Sequence, residues 1–176
     1  MPITYRHDVP SASDQSPEYS SLNAPWMALD ALIEQWGSFG KEATTAAATT
    51  ATSKAFAALT EERTALRHYT LASKQQWWNG GASWSEMFTE HECAIHALTQ
   101  AAAHWFDVAY ALECHVATCA QDDETTQQDL HALLVQALEQ RLRVWTIAHH
   151  LLQEQVARYQ YYRAADVVTL REEMPR

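Results

Sequence analysis

Helix breakers are scarce in this chain. Its 176 residues include only 4 Gly and 5 Pro. Pro2, Pro10, Pro17, Pro25 and Pro175 all lie within the first 25 residues or at the extreme end. So long a stretch without Pro favours extended helices. Cysteine is sparse as well. Cys93, Cys114 and Cys119 are odd in number and form no CxxC pair, which argues against a disulfide framework and for a reducing compartment. No run of 18 apolar residues is present, so no transmembrane helix is expected. The first ten residues lack the apolar core of a secretory signal. A soluble, cytoplasmic protein without membrane insertion is the expectation. Positive charge is also short, with 12 Lys and Arg against 22 Asp and Glu for a formal net charge of −10. Phosphate recognition needs clustered cations, so nucleic acid is not an expected partner, nor is an anionic membrane surface.

What is present is a globular composition, 47% hydrophobic and 19% charged, at a length suited to one core. Residues 1–24 carry three Pro and five Ser with no core-forming pattern, and read as an irregular N-terminal arm. Residues 25–170 read as a single helical-bundle domain, and 171–176 as a frayed, charged tail. Trp26, Leu29, Ile33 and Trp36 fall at helical spacing after Pro25, predicting a short helix over about 25–38 that Gly37 and Gly40 bring to an end. A second helix is predicted from about 41 to 77. Its Thr/Ala tract, 44–53, carries small side chains that allow close helix approach, and Asn79-Gly80-Gly81 follows it.

The third helix is the clearest. Ser83 and Glu86 form a capping box. From Trp84 to Val116 the apolar positions advance in steps of 4 and 3 without a break, through Phe88, His91, Ile95, Leu98, Trp105 and Leu112. The fourth helix, about 127–170, repeats that spacing from Val135 through Leu142, Trp145 and His149 to Tyr159, and this seam is expected to face the core. The short acidic connector 121–126 makes the last two helices antiparallel neighbours, with residue n near residue 245−n. Charge agrees: no Lys or Arg lies between Lys74 and Arg141, and six Arg lie from Arg141 onward. Glu86, Glu90 and Glu92 are then expected beside Arg158 and Arg163. The expected fold is all-α, an antiparallel bundle of three long helices plus one short helix.

Nine His are present, and two occupy seams. His91 and His149 stand where helix cores usually hold Leu, and Glu154 is level with His91. Inward His and carboxylates on facing helices are the ingredients of a bundle metal site. His91, His149 and Glu154 are therefore the candidate metal ligands, against the alternative that both His are polar core positions restricting register. No E-x-x-H pair occurs, and His91-Glu92-Cys93-Ala94-Ile95-His96 is one residue too long for H-E-x-x-H. His96, His104 and His115 share the opposite flank and read as a solvated face. His115 adjoins Cys114 in sequence but not on one face, which is unsuited to thiol activation. Trp26, Trp36, Trp84, Trp105 and Trp145 read as core. Trp77 and Trp78 cannot both face inward, so their corner is a candidate partner contact.

Two short patterns carry a resemblance. Trp78-Asn79-Gly80 between helices, with Tyr162-Arg163-Ala164-Ala165-Asp166 near the end, resembles the W-x-G turn and Y-x-x-x-D tail of the small secreted helical hairpins of type VII systems. The match covers those two patterns alone. The Ala/Thr/Gln-rich, Gly-poor helices are similar in composition to phasins, which implies a polyester granule coat. No motif specifies a reaction. The residues favour a non-enzymatic structural or protein-interaction role with a homo-oligomer expected. The alternatives are a metal- or cofactor-binding bundle and an adaptor or chaperone for another protein.

Overall fold

The unbroken 4-and-3 spacing of the third helix becomes the spine of the molecule. In a computed structural model, residues 23–77, 84–119 and 124–172 are described. They form four helices: α1 (Asn23–Glu42), α2 (Ala46–Trp77), α3 (Trp84–Thr118) and α4 (Glu124–Glu172). The fold is the all-α bundle expected from the sequence, with three long helices and one shorter one. Residues 1–22 of the N-terminal arm and the last four residues lie outside the described residues, and α1 starts at Asn23, two residues before the expected helix start at Pro25.

Neighbouring helices alternate in direction. On α2 and α3, Lys54 pairs with Asp107 at 2.9 Å and His68 with Glu90 at 2.6 Å. On α3 and α4, an Arg158 N–H points to the Met87 sulfur at 3.4 Å, which matches the expected pairing of n with 245−n. Phe106 lies under the Arg141 guanidinium, 4.8 Å from ring centre to Cζ, two residues off that register. The register holds, but the ionic partners differ from expectation. Glu90 meets His68 of α2, and Arg158 pairs with Glu154 one turn back on its own helix. Arg158 is buried, and the nearer counter-ion on its own helix needs no reach across the groove.

Alanine supplies half of the buried apolar residues in the described chain. On α2 the stripe Ala48, Ala51, Ala55 and Ala58 faces inward, and α3 answers with Ala94, Ala97, Ala101 and Ala102. Small side chains let helix axes approach, so the Thr/Ala tract is a packing surface as its composition suggests. Large residues concentrate at a few points. Trp36 of α1 and Trp105 of α3 are fully buried, with ring centres 5.9 Å apart, and Phe39 meets Trp36 edge-on.

Helix α1 continues through Gly37 and Gly40 to Glu42, which corrects the expected end near residue 38. Gly40 is there for proximity, whereas Gly37 has room for a Cβ. A Cβ on Gly40 would lie 2.6 Å from Thr52 Cγ2 of α2. The chain breaks instead at Ala43–Thr45, where the Thr45 hydroxyl accepts from Ala48 N–H at 3.1 Å and caps α2. Thr52 cannot turn away freely, because its hydroxyl donates to the Ala48 carbonyl at 3.0 Å. Gly40→Ala is therefore expected to destabilise by about 1 kcal/mol net, an overpacking cost of roughly 2 kcal/mol partly offset by better helix propensity. The double variant Gly40→Ala/Thr52→Ala should recover that loss in urea titrations. Equal stability of the single variant and the parent would show that the two helices can separate at no cost.

Candidate interaction surface

The α4 seam faces solvent. Val135, Leu138, Leu142, Trp145, Leu152, Val156 and Tyr159 are all exposed, Leu142 at 68% and Trp145 at 56%. This overturns the expectation that the seam, and Trp145 with it, packs in the core. The buried stripe of α4 is a different one: Leu130, Ala137, Val144, Leu151 and Arg158, seven residues apart, joined by Ile147 and Ala148. At about 100° per residue the centres of the two stripes lie roughly 120° apart, on different faces of one helix. Helix α4 packs chiefly on α3, and the stripe it buries there alternates small with large, Ala137 and Val144 between Leu130 and Leu151, which suits close packing on the Ala-rich face of α3.

The exposed stripe is long, regular and nearly uncharged. From Val135 to Tyr159 it covers about 36 Å of helix axis. Beside its upper half, Phe88 and Glu92 of α3 join Leu152, Val156 and Tyr159 in an open groove of about 440 Å³. Phe88 meets Tyr159 edge-on there, with ring centres 6.4 Å apart. Phe106 and Tyr110 extend the apolar surface from α3, being 51% and 63% exposed. Half of a Val, Leu, Trp or Tyr is on the order of 100 Å², so seven such residues offer roughly 700 Å². Contiguous apolar patches of that size are uncommon on proteins that stay monomeric, where the largest is typically ~300–600 Å².

The candidate metal ligands are not gathered. His149 lies on the exposed stripe, where its Nε2 is 3.0 Å from Gln153 Nε2. His91 is buried, with its ring centre 6.0 Å from that of Tyr69. Glu154 is engaged by Arg158. The pairing of His91 and His149 failed because it assumed that the α4 seam turns inward. Among the described residues, no group of three or more His, Cys, Asp or Glu side chains is placed to hold a metal ion. Trp78 and the Trp77 side chain, the other candidate contact, lie outside the described residues.

Burial, and secondarily the positive charge of Arg158, lowers the His91 pKa from 6.5 to about 4. Above pH 6.5 the imidazole is neutral in both folded and unfolded chains. Between pH 6.5 and about 4 the unfolded chain takes up a proton that the folded one refuses, so stability falls as pH falls. Going from pH 7 to 4.5 should remove about 2 kcal/mol of unfolding free energy through this residue. His91→Phe should lack that component, which urea titrations of both proteins at the two pH values would measure. Parallel pH dependences would mean that His91 does not titrate in this window.

Comparison of the chain with protein-family models, curated proteins and solved structures finds no match.

Two further polar sites join helices. Glu62 of α2 is 4% exposed; it accepts from Trp105 Nε1 at 2.7 Å and from the Arg143 guanidinium, so one carboxylate joins α2, α3 and α4. The signal was available, since Glu62 falls in the stripe Leu59, Leu66 and Tyr69 at helical spacing, where an acid must find partners. His115 was expected on a solvated flank. It is buried instead, with Nδ1 2.8 Å from the Thr45 hydroxyl and 3.5 Å from Cys119 Sγ, tying the end of α3 to the cap of α2. Both sites have the character of structural ties. No helix among the described residues is long and apolar enough to cross a membrane.

Proposed function

We propose that this protein is a non-enzymatic structural or interaction bundle that self-associates through the outer face of α4. One observation carries the reading: a stripe of apolar residues at unbroken heptad spacing, which in a coiled coil would be the seam, lies on the surface. A helix with two apolar sides can serve two packings, one inside the chain and one outside it. A homo-oligomer is the simplest partner, because every copy presents the same stripe. The available area supports a stable contact, since roughly 700 Å² is close to the ~800 Å² that each partner of a specific complex commonly buries.

The test is a native mass spectrum together with sedimentation equilibrium of the untagged protein, purified without chelator. A homo-oligomer free of added mass is the expected result. A bare monomer at tens of micromolar would overturn self-association. A stoichiometric metal or organic adduct on a monomer would overturn the non-enzymatic structural reading as well.

A further inference from the structure

We infer that two copies pair through α4 in an antiparallel arrangement, with a two-fold axis crossing the helix near the level of Ile147. The inference rests on the self-association reading above and adds its geometry. The stripe runs from Val135 to Tyr159, and its midpoint is residue 147. Reversal about that level sets every first heptad position against the partner's fourth, which is the layering an antiparallel pair of helices requires. Trp145 then lies beside the partner's His149, Leu142 against the partner's Leu152, and Val135 against the partner's Tyr159. The smallest and one of the largest residues of the stripe, Val135 and Tyr159, thus share a layer at each end, and no layer holds two Trp or two Tyr.

A parallel pair in register lacks that evenness. Each residue would meet its own copy, so two Trp145 indoles would share one layer and two His149 imidazoles the next, while the layer at Val135 would be left thin. In the antiparallel pair Trp145 instead offers the partner's His149 an aromatic face.

The groove beside Leu152, Val156 and Tyr159 supplies a second observation. In the antiparallel pair it lies level with the partner's Leu138 and the partner's Leu142, which can enter it as knobs. The two-fold axis fills both grooves in the same way. A parallel pair would bring the partner's Tyr159 to a groove that Tyr159 already walls.

Two spin-label distances separate the possibilities. Cys93, Cys114 and Cys119 are changed to Ser in the full chain, and a nitroxide is placed at Thr146→Cys or at Ala157→Cys. Both label sites are exposed on α4 and neither lines the groove. In the antiparallel pair, the partner's residue 157 lies level with residue 137, so the two labels at 157 are displaced by about 30 Å along the axis. Labels at 146 are displaced by only about 3 Å along it, with helix axes about 10 Å apart. A long distance at 157 with a short one at 146 is the expected result. Short distances at both sites would overturn the antiparallel geometry and leave self-association standing. Long distances at both would move the interface off this stripe, and a monomeric mass without dipolar coupling would remove the dimer altogether.

Discussion

Trp145→Glu and Leu142→Glu are each expected to weaken self-association by at least about 100-fold while leaving the fold intact. Both side chains lie outside the core of the single chain, at 56% and 68% exposure. A carboxylate there meets water in the monomer and is free of strain. In the pair the Leu142→Glu carboxylate would be taken out of water against the partner's Leu152 with no counter-charge opposite, and Trp145→Glu would remove an aromatic anchor, a loss that commonly costs ~2 kcal/mol or more. The double variant should be monomeric at all working concentrations. Far-UV circular dichroism and urea unfolding of the variant monomer should match those of the parent extrapolated to infinite dilution, because burial within the chain is unchanged. Thr60→Glu, on an exposed position of α2, is the control and should leave the sedimentation equilibrium as it was. Unchanged association in the double variant would place any interface elsewhere.

The largest effect on stability is expected at the Glu62 tie. Arg143→Ala should destabilise the bundle by about 3 kcal/mol, the lower end of what breaking a buried ion pair costs. Glu62 is 4% exposed and would keep only the Trp105 N–H, so its charge would sit uncompensated among α2, α3 and α4. The reverse change is milder. Arg143 is 38% exposed in its side chain, keeps its bond to Gln140 at 2.8 Å, and can turn to water when Glu62 is lost. Glu62→Gln retains an acceptor for Trp105 and should cost about 1 kcal/mol. The double variant Glu62→Gln/Arg143→Ala should then be more stable than Arg143→Ala alone, since no buried charge is left behind. This cycle, measured by urea titration, separates a charge tie from a packing contact. Additive losses would show that Arg143 acts through its stem rather than through its charge.

The antiparallel layout followed from one local feature, the short acidic connector between α3 and α4. Its register was readable because both helices could be counted outward from that turn, and Met87 meets Arg158 where the count puts them. The α3 seam was readable for another reason. Helix α3 lies between two neighbours, α2 and α4, so its strongest apolar stripe had to be buried. Helix α4 packs chiefly against α3, and its larger stripe was not needed there. An apolar period reveals that a face prefers to leave water, but it does not name the surface that will cover the face. The pairing of His91 with His149 inherited that ambiguity and failed with it. Thr45 with His115 was hidden for a simpler reason: residues 70 apart meet only because two helix ends coincide.

By itself, then, the sequence determined the helices, their order and their alternating directions. Those depend on local period, few breakers and short connections, all of which are written within a few turns of chain. The tertiary structure decided which side of α4 is buried. Helix α4 packs chiefly on the Ala-rich α3, and that contact takes the stripe of Leu130, Ala137, Val144 and Leu151 and leaves Trp145 and Leu142 outside. Which face is buried is a property of the two packed surfaces together rather than of either helix alone.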